Sequence, residues 1–352
     1  MRASFLVLLL AVSVCASAAE DDDERRVQLD SQVRELFQAG QYQRAIEPAR
    51  QALALAERTA GGDQQAIGNS LDTLASVYAS LGRFDEALPL YRRALNIRER
   101  ALGAYDLGVA AALINLGKVH DARGQYAEAE AYYTRALNIR ESRLGADSPY
   151  VAESLNNLAL LYTSQGRYAE AEKAYGRALS NFEKALGASD LAVAGVLNNV
   201  GLLMEAQGRY AEAEPHYRRA LAIREQRLGA DHPQLSLSLN NLAGLYARQG
   251  RYPEADVLMR RALAMDERLY GLQHPQVAVA LSNLAGLYGV QGEYAKAEPL
   301  LLRALDIRQA ALDQRDPAIT ETLQDLLELY RVAGWSDRAT EMQARLAERG
   351  GH

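Results

Sequence analysis

Ser154-Leu155-Asn156-Asn157-Leu158-Ala159-Leu160-Leu161-Tyr162-Thr163-Ser164-Gln165-Gly166-Arg167-Tyr168 holds most of one helix, a turn and the start of a second helix. Leu155, Leu158, Ala159 and Tyr162 stand at i, i+3, i+4 and i+7, which is one apolar stripe on a helix. Upstream, Ser148 and Pro149 suit the N-cap and first-turn positions. Downstream of Gly166, Tyr168, Ala171, Tyr175, Ala178 and Leu179 form a second stripe at helical spacing, and Gly187 suits the left-handed stop. The stretch therefore predicts a hairpin of two helices, A and B, of roughly four turns each.

The same hairpin recurs outward in both directions. Gly40, Gly82, Gly124, Gly166, Gly208, Gly250, Gly292 and Gly334 stand 42 residues apart without one insertion. Gly103, Gly145, Gly187, Gly229 and Gly271 keep the same step, so each unit carries two glycine-marked turns. A lone hairpin cannot bury its apolar face, whereas stacked hairpins share a continuous core. Small residues at Ala171, Ala213, Ala255 and Ala297 allow close approach, and Tyr168, Tyr210, Tyr252 and Tyr294 are expected to fill the gaps. Of the 19 tyrosines, 15 occupy the three repeat positions of Tyr162, Tyr168 and Tyr175, which reads as packing and not as a cofactor box. Pro89, Pro215 and Pro299 fall early in helix B, so that helix must begin close to the Tyr or Phe after the glycine.

The pattern Leu158-Ala159, Tyr162, Gly166, Tyr168, Ala171, Tyr175, Ala178 resembles the tetratricopeptide consensus, and the 42-residue step resembles the longer, kinesin-light-chain type also found in exported bacterial proteins. Leu228-Gly229-Ala230-Asp231-His232-Pro233, Leu239-Asn240-Asn241-Leu242-Ala243 and Gln249-Gly250-Arg251-Tyr252 carry that likeness over residues 26–349. The resemblance implies an all-α, right-handed superhelical solenoid of about eight helix-turn-helix repeats, with residues 350–352 as a tail. Terminal repeats must show one face to water. Leu36 and Gln32 in the first repeat, and Ser336 with the polar helix Asp337 to Arg349 in the last, are changes of that kind.

Residues 1–18 read as a signal peptide: Arg2, an apolar run from Phe5 to Val14, then Ala16-Ser17-Ala18. The apolar run is too short to span a bilayer, which takes roughly 20 residues. The mature chain is expected to start near Ala19, in an acidic segment over 19–25, and to lie in the periplasm or outside the cell with no integral membrane segment. A second reading makes Cys15, in Val12-Ser13-Val14-Cys15, a lipidated N-terminus; Val14 departs from the small residue that such motifs carry there. Cys15 is the only cysteine, so the mature chain has no disulfide or thiol chemistry.

The net charge is −6, and loss of Arg2 leaves 38 basic against 45 acidic residues, a net −7. No basic surface offers itself to nucleic acid. Gly117-Lys118 lacks the earlier glycine of a phosphate loop, and no His-Glu-x-x-His occurs. His232 and His274 precede prolines at equivalent positions and read as helix caps, not metal ligands; His120 replaces a stripe tyrosine and reads as a satisfied core histidine. Glu99, Glu141, Glu183, Glu225 and Glu267 recur every period, and read as solvated helix-B residues near Arg98, Arg140 or Arg224. Arg92-Arg93, Arg218-Arg219 and Arg260-Arg261 read as an exposed outer face. No catalytic residue, cofactor site or metal site is expected.

One polar series stands apart. Asn115, Asn157, Asn199, Asn241 and Asn283 recur on helix A, with Asn156, Asn198 and Asn240 beside them, on the side away from the Leu155-Leu158-Tyr162 stripe. Resemblance to tetratricopeptide folds implies that these amides line a concave peptide-binding groove. An amide both donates and accepts, so it pairs with a peptide backbone whatever the side chains. The competing reading ties each helix to the next hairpin. Lys118, Asp121, Glu153, Thr163, Glu205 and Arg248 lie nearby and give the face no single charge. The expected function is a scaffold binding a protein or extended peptide outside the cytoplasm; the alternative is a self-associating structural or assembly factor of the cell envelope.

Overall fold

The computed structural model describes residues 21–59 and 64–350. The proposed signal segment, Cys15 and the tail at 351–352 lie outside the described residues. Sixteen helices and no strand occur among the described residues. In chain order they are α1 (21–38), α2 (Tyr42–Thr59), α3 (Gln64–Ser80), α4 (Phe84–Leu102), α5 (Leu107–Ala122), α6 (Tyr126–Leu144), α7 (Pro149–Ser164) and α8 (Tyr168–Leu186). There follow α9 (Leu191–Ala206), α10 (Tyr210–Leu228), α11 (Pro233–Arg248), α12 (Tyr252–Tyr270), α13 (Pro275–Val290), α14 (Tyr294–Ala311), α15 (Pro317–Ala333) and α16 (Ser336–Gly350). They pair as eight helix-turn-helix hairpins, and the chain divides between Asn181 and Phe182, inside α8, into two compact units.

The expected punctuation is where the sequence puts it. Gly166 (φ +71°) and Gly187 (φ +92°) adopt left-handed backbone, a conformation that strains any residue with a Cβ. Ser148 caps α7 by accepting from the Tyr150 amide, and Asp106, Asp190 and Asp316 cap α5, α9 and α15 likewise. His232 and His274 are caps too: Nδ1 accepts from the Gln234 amide at 3.2 Å and from the Gln276 amide at 3.1 Å. Helix B does start at the Tyr or Phe after the glycine, yet Pro89, Pro215 and Pro299 fall at its sixth residue, in the second turn. Each therefore costs the helix one internal hydrogen bond, a loss that stays local because the proline lies close to the N-terminus.

Packing follows the large–small alternation with one correction. Tyr91, Tyr133, Tyr175 and Tyr217 are buried, but Tyr168, Tyr210, Tyr252 and Tyr294 are half-buried at the helix-B starts and do not fill the core. The buried rings need room opposite. A Cβ on Gly117 would stand 2.4 Å from the Tyr133 ring, and one on Gly201 2.5 Å from the Tyr217 ring. At the last hairpin only Met342 of α16 is buried among the described residues, as a cap with one wet face requires.

The glutamates and arginines do more than face water. Within the first unit Glu99 pairs with Arg135 at 2.6 Å and Glu141 with Arg177 at 2.7 Å. Within the second, Glu183 pairs with Arg219 and Glu225 with Arg261 at 2.6 Å, and Glu267 with Arg303 at 2.7 Å. Each bridge joins one helix B to the next. The partner is thus the arginine 36 residues on, not the adjacent Arg98, Arg140 or Arg224. Those three are buried, as is Arg308. Arg140 donates to the Tyr150 carbonyl at 2.8 Å and to Ser154 Oγ at 3.0 Å, and Arg224 and Arg308 donate to the Ser238 and Thr322 hydroxyls. A buried guanidinium needs such acceptors because its charge has left water.

Candidate functional site

Helix A of each hairpin keeps one exposed stripe. In the first unit it runs through Ala111, Asn115 and Lys118 on α5 and through Glu153, Asn157 and Leu160 on α7. In the second it runs through Asn199 and Leu202 on α9, Leu237 and Asn241 on α11, and Val279, Asn283 and Val290 on α13. Spacings of four, then three residues keep these side chains on one face, opposite the buried Leu155-Leu158-Ala159 type positions.

The asparagines divide into two groups. Asn198 is buried and its Oδ1 accepts from Asn241 Nδ2 at 2.8 Å, which ties α11 to α9; Arg248 adds an ion pair to Glu205 across the same two helices. Asn115, Asn157 and Asn283 are half-buried on the exposed stripe and have no hydrogen-bond partner among the described residues. Asn156, Asn199 and Asn240 are also half-buried, and the Asn240 Oδ1 and Asn157 Nδ2 atoms are out of solvent contact without a partner. Unpaired amide atoms of this kind are uncommon in folded chains.

Around the amides the stripe is aliphatic. Leu160, Leu202, Leu237, Val279, Val290 and Val332 are all exposed on helix A, with Leu237 54% accessible. Gly244, Gly286 and Gly289 add open space, since a Cβ built on any of them meets nothing within 4 Å. Three features escaped the sequence reading. One is this aliphatic series, which shows only when the repeats are aligned on Asn157. Another is α15, where Asp325 holds the register of the asparagines and Glu321 and Glu328 flank it. The third is His120: it is buried beside Tyr132, ring centroids 5.2 Å apart, with neither ring nitrogen hydrogen-bonded. It is thus a core histidine but not a satisfied one, and burial, aided by Arg92, holds its pKa below the ordinary imidazole value.

Among the described residues no group of three His, Cys, Asp or Glu side chains could hold a metal ion, and no helix is long and apolar enough to cross a membrane.

A fold of repeated A–B hairpins with an open helix-A face defines a helical-repeat scaffold, a class built for holding other chains. Tetratricopeptide repeat models match residues 36–100, 66–142, 108–184, 192–268, 237–310 and 276–348, with a further one over 156–227. The chain belongs to the tetratricopeptide repeat family, and its 42-residue step and motif set make it the kinesin-light-chain-like form. BtubC (BKLC) from P. vanneervenii is 29% identical over 65% of this chain and 92% of its own, with a TM-score of 0.57. The apo quorum sensor NprR from B. thuringiensis shares the fold at 13% identity, over 92% of this chain and 87% of its own, with a TM-score of 0.64. A Rap protein complexed with Competence and Sporulation Factor does so at 16% identity, over 94% and 98%, with a TM-score of 0.55. No curated protein matches the sequence.

Proposed function

We propose that the exposed helix-A face holds an extended segment of a partner protein, outside the cytoplasm. The observation that carries this is the composition of the stripe: Asn115, Asn157 and Asn283 have no internal hydrogen-bond partner among the described residues, and exposed Leu160, Leu202, Leu237, Val279 and Val290 share the face with them. Neighbouring packed helices stand roughly 8–10 Å apart, and an extended peptide advances about 3.3 Å per residue. One rung therefore serves about three residues, with the amide on the backbone and the Leu or Val against a side chain. Tetratricopeptide folds are in general protein-interaction scaffolds, and the Rap protein named above is one found with a bound factor. The export signal read at residues 1–18 supplies the compartment.

Photo-crosslinking in the producing cell tests the proposal. A benzophenone amino acid at Leu202 or Val279 should give discrete adducts, whereas one at Val257, 66% exposed on helix B, should give none. Adducts from Val257 alone would place the binding surface elsewhere.

A self-association reading rests on a different surface. Tyr105, in the turn between α4 and α5 of the first unit, is 68% exposed and lies off helix A. Concentration-dependent mass in light scattering that Tyr105→Ser abolishes would favour it.

A further inference from the structure

The second unit contains a pocket of about 490 Å³ between α13, α14 and α15. It lies on the same exposed helix-A face, and the inference below rests on the peptide-groove reading. Val290 and Val332, 66% and 58% exposed, form apolar walls, and Gly286 and Gly289 keep the space between them open. Its charged lining is entirely acidic: Glu321, Asp325 and Glu328.

These carboxylates stand at i, i+4 and i+7 of α15, hence on one side of it. At the same three registers the preceding hairpin has Val279, Asn283 and Gly286, and α7 has one carboxylate, Glu153, with Asn157 and Leu160; three carboxylates together occur on α15 alone among these helices. None of the three is ion-paired among the described residues. Arg308, whose charge acts on Asp325, is buried and donates to the Thr322 hydroxyl and the Ala318 carbonyl. Burial, reinforced by Glu321 and partly offset by Arg308, raises the Asp325 carboxyl above its ordinary value. The Ser282 hydroxyl, which lines the same pocket, is out of solvent contact and has no partner. A divalent cation does not fit, because the carboxylates do not converge on one point.

We infer that this pocket takes an arginine or lysine side chain of the bound segment, its aliphatic stem between Val290 and Val332 and its charge toward Glu321, Asp325 and Glu328. Long basic side chains combine these demands, an apolar stem with a cationic head. Guanidinium in particular offers five donors in a planar fork that suits several separated acceptors.

The test uses a random library of twelve-residue peptides selected on the purified protein. One selected peptide is then remade with citrulline, a neutral isostere, in place of each arginine in turn. Basic residues should be enriched, and one citrulline peptide should bind at least about tenfold more weakly, roughly 1.4 kcal/mol. On the triple variant Glu321→Gln, Asp325→Asn, Glu328→Gln that difference should vanish. Asp325→Asn restores the residue found at Asn283, and a melting curve checks that the triple variant is folded; the citrulline comparison on the parent protein stands without it. Selected peptides that bind parent and variant alike, or that ignore every citrulline replacement, overturn the inference while leaving the groove reading standing. If no peptide is retained at all, both fall.

Discussion

Single side chains show where this chain carries surplus cost. The Tyr217 ring is buried, and its hydroxyl is out of solvent contact without a partner. Leaving such a group unsatisfied costs about 1–3 kcal/mol. Tyr217→Phe should therefore be neutral or stabilise by about 1 kcal/mol in urea unfolding. Tyr91, whose hydroxyl pairs with Ser76 at 2.8 Å, should instead lose about 0.5–1.5 kcal/mol as Phe. Equal losses at both sites would contradict this. Asp266 is the other case: it is fully buried, it accepts from Ser236 Oγ at 2.5 Å, and burial raises its carboxyl above the ordinary value. A raised folded value means that the fold binds this proton more tightly than the unfolded chain does. Its contribution is whole below the ordinary carboxylate range, about 4, and is lost as pH rises through the raised value. Asp266→Asn should accordingly melt above the parent at pH 7, with the gap closing below about pH 4; a gap independent of pH would refute the assignment.

At the scale of the element, the repeat carries its own record of which contacts pair. The register of the buried arginine reads Arg98, Arg140, Phe182, Arg224, Asp266, Arg308, and that fourteen residues on reads Ala112, Ser154, Val196, Ser238, Ala280, Thr322. A hydroxyl accompanies Arg140, Arg224 and Arg308, while Arg98, opposite Ala112, pairs with Asp72 at 2.6 Å; an aliphatic residue accompanies Phe182. Buried ionic groups can often be replaced jointly by apolar ones, whereas removing one partner leaves the other uncompensated. Arg224→Phe with Ser238→Val should thus be more stable than the sum of the two single changes by about 0.5–3 kcal/mol. Strict additivity in a double-mutant cycle would show that the two positions are independent. The Glu–Arg bridges between successive B helices are part-exposed and carry less: Arg219→Ala should cost no more than about 1 kcal/mol.

For the whole molecule, nearest-neighbour packing makes length adjustable. Deleting residues 250–291 removes one 42-residue period and joins Gln249 to Gly292, reproducing the Gln-Gly turn. The product should stay helical and soluble, with a calorimetric enthalpy lower by roughly 30 kcal/mol at about 0.7 kcal/mol per residue. Loss of all helical structure would imply a closed core instead. At the chain's start, mass analysis of the exported form should find Ala19 or a neighbour first; a diacylated Cys15 would establish the lipid-anchored reading.

How much of this was legible in the sequence depended on range. The hairpins, their caps at Ser148, His232 and His274, and their glycine stops follow from local spacing, and the structure has them there. The Glu99–Arg135 type of bridge was misassigned because nearness along one helix suggested Arg98, while the true partner stands one repeat away. Asn198 and Asn241 look like every other asparagine of the series, and only the packing of α9 against α11 shows them bonded. The acidic pocket escaped because Asp325 reads as an ordinary surface carboxylate until its register with Asn283 is seen against the cavity.

That division among the asparagines gives the most direct test of the central claim. Replace Asn115, Asn157 and Asn283 with Ala, and separately replace Asn241 with Ala, then measure thermal unfolding and binding of library-selected peptides. The triple variant should melt close to the parent, since these half-buried amides have no internal hydrogen bond to lose and changes away from such bonds usually stay within about 0.5 kcal/mol each. Its peptide affinity should fall by tenfold or more, because each hydrogen bond lost in the complex is worth about 0.5–1.5 kcal/mol. Asn241→Ala should instead lower the melting temperature, as it leaves the buried Asn198 amide without its partner. A triple variant that melts far below the parent, yet binds peptide undiminished in its folded fraction, would make these asparagines bolts of the scaffold and contradict the groove.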